Sequence, residues 1–261
     1  DPTQGGPIGY DGAGHLLFRP ARPVFMLLLD QDFVGDTLLA APDSIPILRR
    51  DLATGALDTL VLVRGPRLPQ AIRRRAQGGG SGRQALNPIP SADDWTVLDD
   101  GAVAVVRIAD YHVDWIEPTR KVTSSGKLPA SWVAIPQAQK VALIDSLRAR
   151  DSSLRANGAF TTPNGAGLPS AVVAASDLPD YWPPFVSGTA VPATGGGLWI
   201  REGTMGAASS PSIFDVISRD GTLLDRVQLP FGTTLVAVGR GTAYLSQRTN
   251  GVTRLTALRV K

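Results

Sequence analysis

His112 and Asp114 come closest, by type and spacing, to a reactive pair. They lie two apart in His112-Val113-Asp114-Trp115-Ile116, and a strand puts residues two apart on the same face. An imidazole beside a carboxylate is a unit of acid–base and metal chemistry. No further ligand is near in sequence, and the only other histidine, His15, begins a hairpin elsewhere. A structural polar pair is therefore the plainer reading. Asp93-Asp94 and Asp99-Asp100 are adjacent carboxylates, but neighbours in a turn point apart, and these read as solvating it. Arg73-Arg74-Arg75 followed by Gly78-Gly79-Gly80-Ser81-Gly82-Arg83 has the composition of a phosphate-cradling loop. It lacks the Gly-Lys-Ser/Thr ending and a following helix, and reads as a flexible, solvated connection.

Other chemistries leave no trace in the chain. There is no Gly-x-Ser-x-Gly elbow and no Asp-x-Asp-x-Asp-Gly calcium loop. With no cysteine among 261 residues, disulfides and thiolate metal sites are excluded. The net charge is +3 and lysine is scarce, so the clustered basic face of a nucleic-acid binder is not expected. The expectation is a chain with no catalytic residue, no metal and no cofactor.

One cluster points to contact instead of catalysis. Tyr181-Trp182-Pro183-Pro184-Phe185 is a rigid, apolar stretch of loop character, and exposed aromatics of this kind anchor interfaces. Tyr181, Trp182 and Phe185 are the candidate anchors, with Arg73, Arg74 and Arg75 as candidate contacts in a long loop. The five tryptophans, Trp95, Trp115, Trp132, Trp182 and Trp199, read mostly as packing between sheets.

The elements that must position these residues are short strands. Twenty-eight Gly and 21 Pro with 6% aromatics suit many strands joined by turns, and argue against a helical bundle. From Ser212 onward the chain alternates strand and turn: Ser212–Ile217, Arg219-Asp220-Gly221, Leu223–Leu229, Leu235–Val238, Gly239-Arg240-Gly241, Thr242–Leu245, Asn250-Gly251, Val252–Val260. The same rhythm begins near Ile8, Trp95 and Val186, giving four units with Leu235. Phe214-Asp215-Val216-Ile217 and Val113-Asp114-Trp115-Ile116 occupy the same third strand of two units. Insertions near 19–42, 64–90 and 125–180 interrupt a single domain spanning 1–261. Within them, Val24–Leu29 is a buried strand or a turn of helix. One amphipathic helix follows Pro136, with Val141, Ile144, Leu147 and Leu154 as its apolar stripe.

Meandering antiparallel units of this kind characterise β-propeller blades. From roughly Ile8 to Val260 the chain resembles six-bladed β-propellers of the NHL/TolB-like kind, especially exported bacterial ones. The resemblance implies an all-β propeller of four-stranded antiparallel blades, with about four units visible. Two blades are then expected either upstream of Asp1 or degenerate within the insertions. Enzymatic propellers of the lactonase type bind calcium through acidic and Asn residues around the channel. Here the four Asn (Asn87, Asn157, Asn164 and Asn250) all fall in loops. The expected function is a non-catalytic periplasmic scaffold or accessory subunit, exported and peripheral to a membrane. Its partners would be protein subunits of a membrane-associated complex (respiratory, photosynthetic or secretory). No nucleic acid and no transmembrane segment of its own are expected. The alternatives are a propeller hydrolase or lyase, or a small-ligand sensor with an aromatic-lined cavity.

Overall fold

The structure is a computed structural model. It describes residues 8–20, 35–39, 43–66, 70–74, 80–156, 172–203 and 211–260. Four antiparallel sheets follow one another along the chain. The first is β1 (Ile8–Tyr10), β2 (His15–Phe18), β4 (Ser44–Asp51) and β5 (Leu57–Arg64), in that spatial order. The second is β8 (Asp94–Val97), β9 (Val103–Arg107), β10 (His112–Ile116) and β11 (Val122–Ser124). The third is β12 (Val191–Ala193), β13 (Gly197–Arg201), β14 (Ile213–Ile217) and β15 (Leu223–Gln228). The fourth has three strands, β16 (Thr233–Gly239), β17 (Thr242–Thr249) and β18 (Val252–Arg259). The first strands lie side by side, β1 against β8, β8 against β12 and β12 against β16. Each sheet meanders outward from such a strand, so the chain is an all-β propeller and each sheet is a blade.

Side-chain alternation explains the stacking. On β9, Val103 and Val105 join Leu17, Ile47 and Val63 of the first blade in one core. Ala104 and Val106 face the other way and join Leu198, Ile200 and Ile217 of the third blade. Trp199 and Phe214 face Leu235, Ala243 and Leu245 of the fourth. A blade buried on both faces needs a nearly continuous apolar strand, which is what Val103-Ala104-Val105-Val106 supplies. The turns pack as tightly. Gly101 has φ +81°, and a β-carbon there would lie 2.4 Å from the carbonyl oxygen of Asp11. Glycine is thus required both by the turn and by the neighbouring blade.

The fourth blade has three strands among the described residues, the three that the sequence marks after Leu235. Two sequence expectations need correction. The stretch around Arg73 to Arg83 is not merely a flexible connection. Gln70–Arg74 (β6) and Gly80–Gln84 (β7) form a hairpin, and with Gly35–Leu39 (β3) a fifth, three-stranded sheet. Glycine's weak strand preference hid β7. Helix α1 (Gln137–Ala156) exists, but its buried positions are Lys140, Ile144 and Asp151, while Val141 and Leu154 are 43% and 39% exposed. Its inward face is set by the buried polar side chains of Lys140 and Asp151 as much as by apolar residues. Val24–Leu29 lies outside the described residues.

Candidate functional site

The polar residues singled out in the sequence converge on the seams between blades, where they act as clasps. Arg107 sits at the centre of one. Its Nε donates to Asp114 (2.7 Å), and one terminal nitrogen donates both to Asp93 (2.9 Å) and to the Leu62 carbonyl of the first blade (2.9 Å). The other Asp93 oxygen accepts the Ile108 N–H. Asp114 also accepts the Ser124 hydroxyl at 2.6 Å. Burial works against ionised Asp114, but Ser124 and Arg107 overcome it and hold its pKa below the ordinary value. His112 is brought to Asp114 as the sequence implied, Nε2 to Oδ1 at 3.3 Å, with Nδ1 2.6 Å from Asp110. Among the described residues no three His, Asp or Glu side chains form a metal-holding group.

Asp94 is the clasp between the second and third blades. Only 3% exposed, it accepts the backbone N–H groups of Trp95, Thr189 and Ala190, each at 2.8 Å. Burial raises its pKa, and these N–H donors oppose the rise. Local sequence could not reveal this role, because two of the donors are 95 and 96 residues away. A third clasp joins Tyr111, whose hydroxyl donates to Asp215 at 2.5 Å, to Arg226, which donates to Asp215 at 2.9 Å. Burial and the adjacent Asp215 carboxylate push the Tyr111 pKa up. Asp215 occupies the β14 position that Asp114 holds on β10, and each blade ties this carboxylate to an arginine. The corresponding outer turns also meet: Arg219 pairs with Glu117 at 2.6 Å and lies 4.8 Å over the Trp115 ring.

The accessible feature is a face built from two chain segments in front of α1. Residues 128–135 form an arch fixed at both ends by buried Leu128 and Ile135. The Leu128 N–H donates to the Tyr111 carbonyl at 2.7 Å, and the Ile135 N–H to the Asp180 carbonyl at 2.8 Å. The Trp182 N–H donates to the Val133 carbonyl at 2.9 Å, and Ala134 bridges to Tyr181. Buried Lys140 anchors α1 behind this face, reaching Asp180 at 2.7 Å and the Leu178 carbonyl at 3.2 Å. Between the fixed ends, Trp132 and Val133 are 43% and 38% exposed, and Tyr181 is 50% exposed. The Trp132 and Tyr181 rings meet edge to face, with centroids 6.4 Å apart.

The predicted anchors therefore separate. Tyr181 lies on the surface. Trp182 is half-buried and lines the cavities beneath it. Phe185 is 1% exposed and stacked 5.5 Å from Tyr111, so it is a core residue that anchors the loop from inside. The side chains of Arg73, Arg74 and Arg75 lie outside the described residues. By composition Trp132 reads as one of the packing tryptophans, and the signal that sets it apart is its place between Pro129 and Pro136.

Two cavities flank the ridge formed by Ile89 and Pro183. One, about 380 Å³, is walled by Ile108, Trp132, Pro179 and Tyr181, with Arg64 and Asp177 among its polar groups. The other, about 390 Å³, is lined by Pro66, Pro88, Trp95, Trp182 and Phe185. Among the described residues no helix is long and apolar enough to cross a membrane. The chain matches no known protein family, and no curated protein is significantly similar to it.

Proposed function

We propose that the chain is a non-catalytic scaffold or accessory subunit that docks onto a protein partner through the Trp132–Tyr181 face. The observation carrying this reading is the preorganisation of that face. Two large aromatic side chains are held half in water by backbone hydrogen bonds between 133–135 and 180–182. Aromatics offered this way bury much area at low entropic cost, which is the property of interface anchors. The adjoining groove, lined by Ile89, Ile108, Pro179 and Pro183 together with Arg64, Asp177 and Asp180, offers a seat of mixed polarity for a protruding partner side chain. On this reading the partner belongs to an envelope or membrane-bound complex and the chain works in the periplasm, a reading supported by the resemblance to exported bacterial propellers. Capture from native membranes followed by mass spectrometry tests this. The wild-type chain retains a defined set of proteins that the Trp132→Ala, Tyr181→Ala double variant loses. Identical capture by both chains, or a wild-type chain that elutes alone, removes the proposal.

The cavity lined by Trp95, Trp182 and Phe185 supports a second reading, a small-ligand sensor. Trp95, Trp182 and Phe185 give it an aromatic wall of the kind that lines small-ligand sites. A change in tryptophan emission on screening small apolar compounds, lost in Trp95→Phe, would favour it over docking.

A further inference from the structure

The outermost strands of the four blades differ in how their free edges are protected. A bare edge is a template for another chain, and shortness, proline, bulges and charge are the usual defences. Strand β11 has only three residues. The ladders of β5 and β15 each carry a register shift, at Ile47/Leu48 and at Val216/Ile217. Strand β18 has neither defence. It pairs with β17 through eight consecutive residues without a shift, and all eight are exposed. Its sequence, VTRLTALR, holds no proline, glycine or acid.

The phase of the free groups follows from one hydrogen bond. The Val260 N–H donates to the Gly241 carbonyl at 2.8 Å, so even-numbered residues of β18 face β17. Thr253, Leu255, Ala257 and Arg259 then present their N–H and C=O groups at the outer edge, which has no partner strand among the described residues. We propose that this edge pairs with β18 of a second copy, antiparallel and about a two-fold axis, fusing two fourth blades into one six-stranded sheet.

The charges and side chains of β18 favour a second copy as the occupant. Hydrogen-bonded registers pair odd-numbered residues with odd-numbered ones, so Arg254 of one copy never stands directly opposite Arg259 of the other. The register centred on Thr256 matches the whole strand. It sets Arg254 opposite Leu258, Arg259 opposite Thr253 and Leu255 opposite Ala257. Because Ala257 is also paired with Tyr244, the row Tyr244–Ala257–Leu255 of the second copy becomes a continuous apolar stripe. Tyr244 and Leu255 are 45% and 73% exposed in the single chain. Cross-strand neighbours of this kind are what stabilise a sheet.

The chain has no cysteine, so a single introduced thiol reports the contact. In the centred register the two Thr256 residues form a non-hydrogen-bonded pair with Cα atoms about 4.5 Å apart, within disulfide reach. Thr256→Cys is expected to cross-link under mild oxidation, whereas Val252→Cys, at the far end, is not. By sedimentation the wild-type chain is expected at twice the mass of one chain. Ala257→Pro removes one edge-facing N–H without touching the β17 ladder and is expected to be monomeric with an unchanged circular dichroism spectrum. Ala257→Lys makes the same test without a backbone constraint. A wild-type chain that is monomeric at every concentration, dimers that survive both substitutions, or equal cross-linking at 252 and 256 would overturn the proposal.

Discussion

The second and fourth blades are made from similar meanders, yet they live in opposite surroundings. Strand β9 of the second blade is buried through Val103 to Val106, and the polar groups at its seams are tied by Arg107, Asp94 and the Tyr111–Asp215 pair. The fourth blade buries Leu235, Ala243 and Leu245 on one face and leaves β18 wholly exposed. Sheet architecture is thus common to both, while the number of covered faces decides what each residue is worth. The inner seams hold the molecule together. The outer surfaces are free to meet other molecules.

The contrast predicts its own breaking points. The largest effect is expected at Ile200, fully buried between the second and third blades, where truncation to Ala should cost about 2–5 kcal/mol by denaturant unfolding. Asp215→Ala leaves the buried Tyr111 hydroxyl without its acceptor, which costs about 1–3 kcal/mol, while half-exposed Arg226 keeps Glu202 and the Pro129 carbonyl. Truncation to Ala at Val236, 53% exposed on the fourth blade, should stay within about 0.5 kcal/mol. If the two truncations cost the same, burial is not what separates these blades.

A smaller, pH-dependent difference sharpens the comparison within the seams. Asp114 has a folded pKa below its ordinary value of 3.8. Its contribution is therefore present above 3.8 and lost as pH falls through the folded value. Asp94 is raised above 3.8 by burial, so its ionisation costs stability as pH rises through that window. Unfolding free energies measured against pH should show the deficit of Asp114→Asn shrinking in acid. The deficit of Asp94→Asn should shrink as pH rises above 3.8.

The blades were legible in the sequence because their signals are local. The Gly239-Arg240-Gly241 and Asn250-Gly251 turns and two-residue alternation mark β16 to β18, although β17 runs on to Thr249, beyond the Leu245 end that the sequence suggests. The shared third-strand aspartate could be seen as a repeat, but its work could not. Asp114 and Asp215 depend on arginines seven and eleven residues away across a hairpin. Asp94 depends on N–H groups of the next blade. Such long-range partners leave no trace in neighbouring residues, and Asp93-Asp94 accordingly looked like a solvated turn. Phe185 and Trp132 exchanged roles for a similar reason. Composition marks both only as apolar, and the arch pinned by Leu128 and Ile135 decides which one reaches water.

Site-specific photo-cross-linking in cells making the full chain tests the docking claim most directly. A photoreactive residue would be placed in turn at Tyr181, at Trp132 and at Leu224, which is 64% exposed on the third blade. One discrete protein adduct is expected from positions 181 and 132 and none from 224. Equal adducts from all three positions, or none from the aromatic pair, would contradict the account.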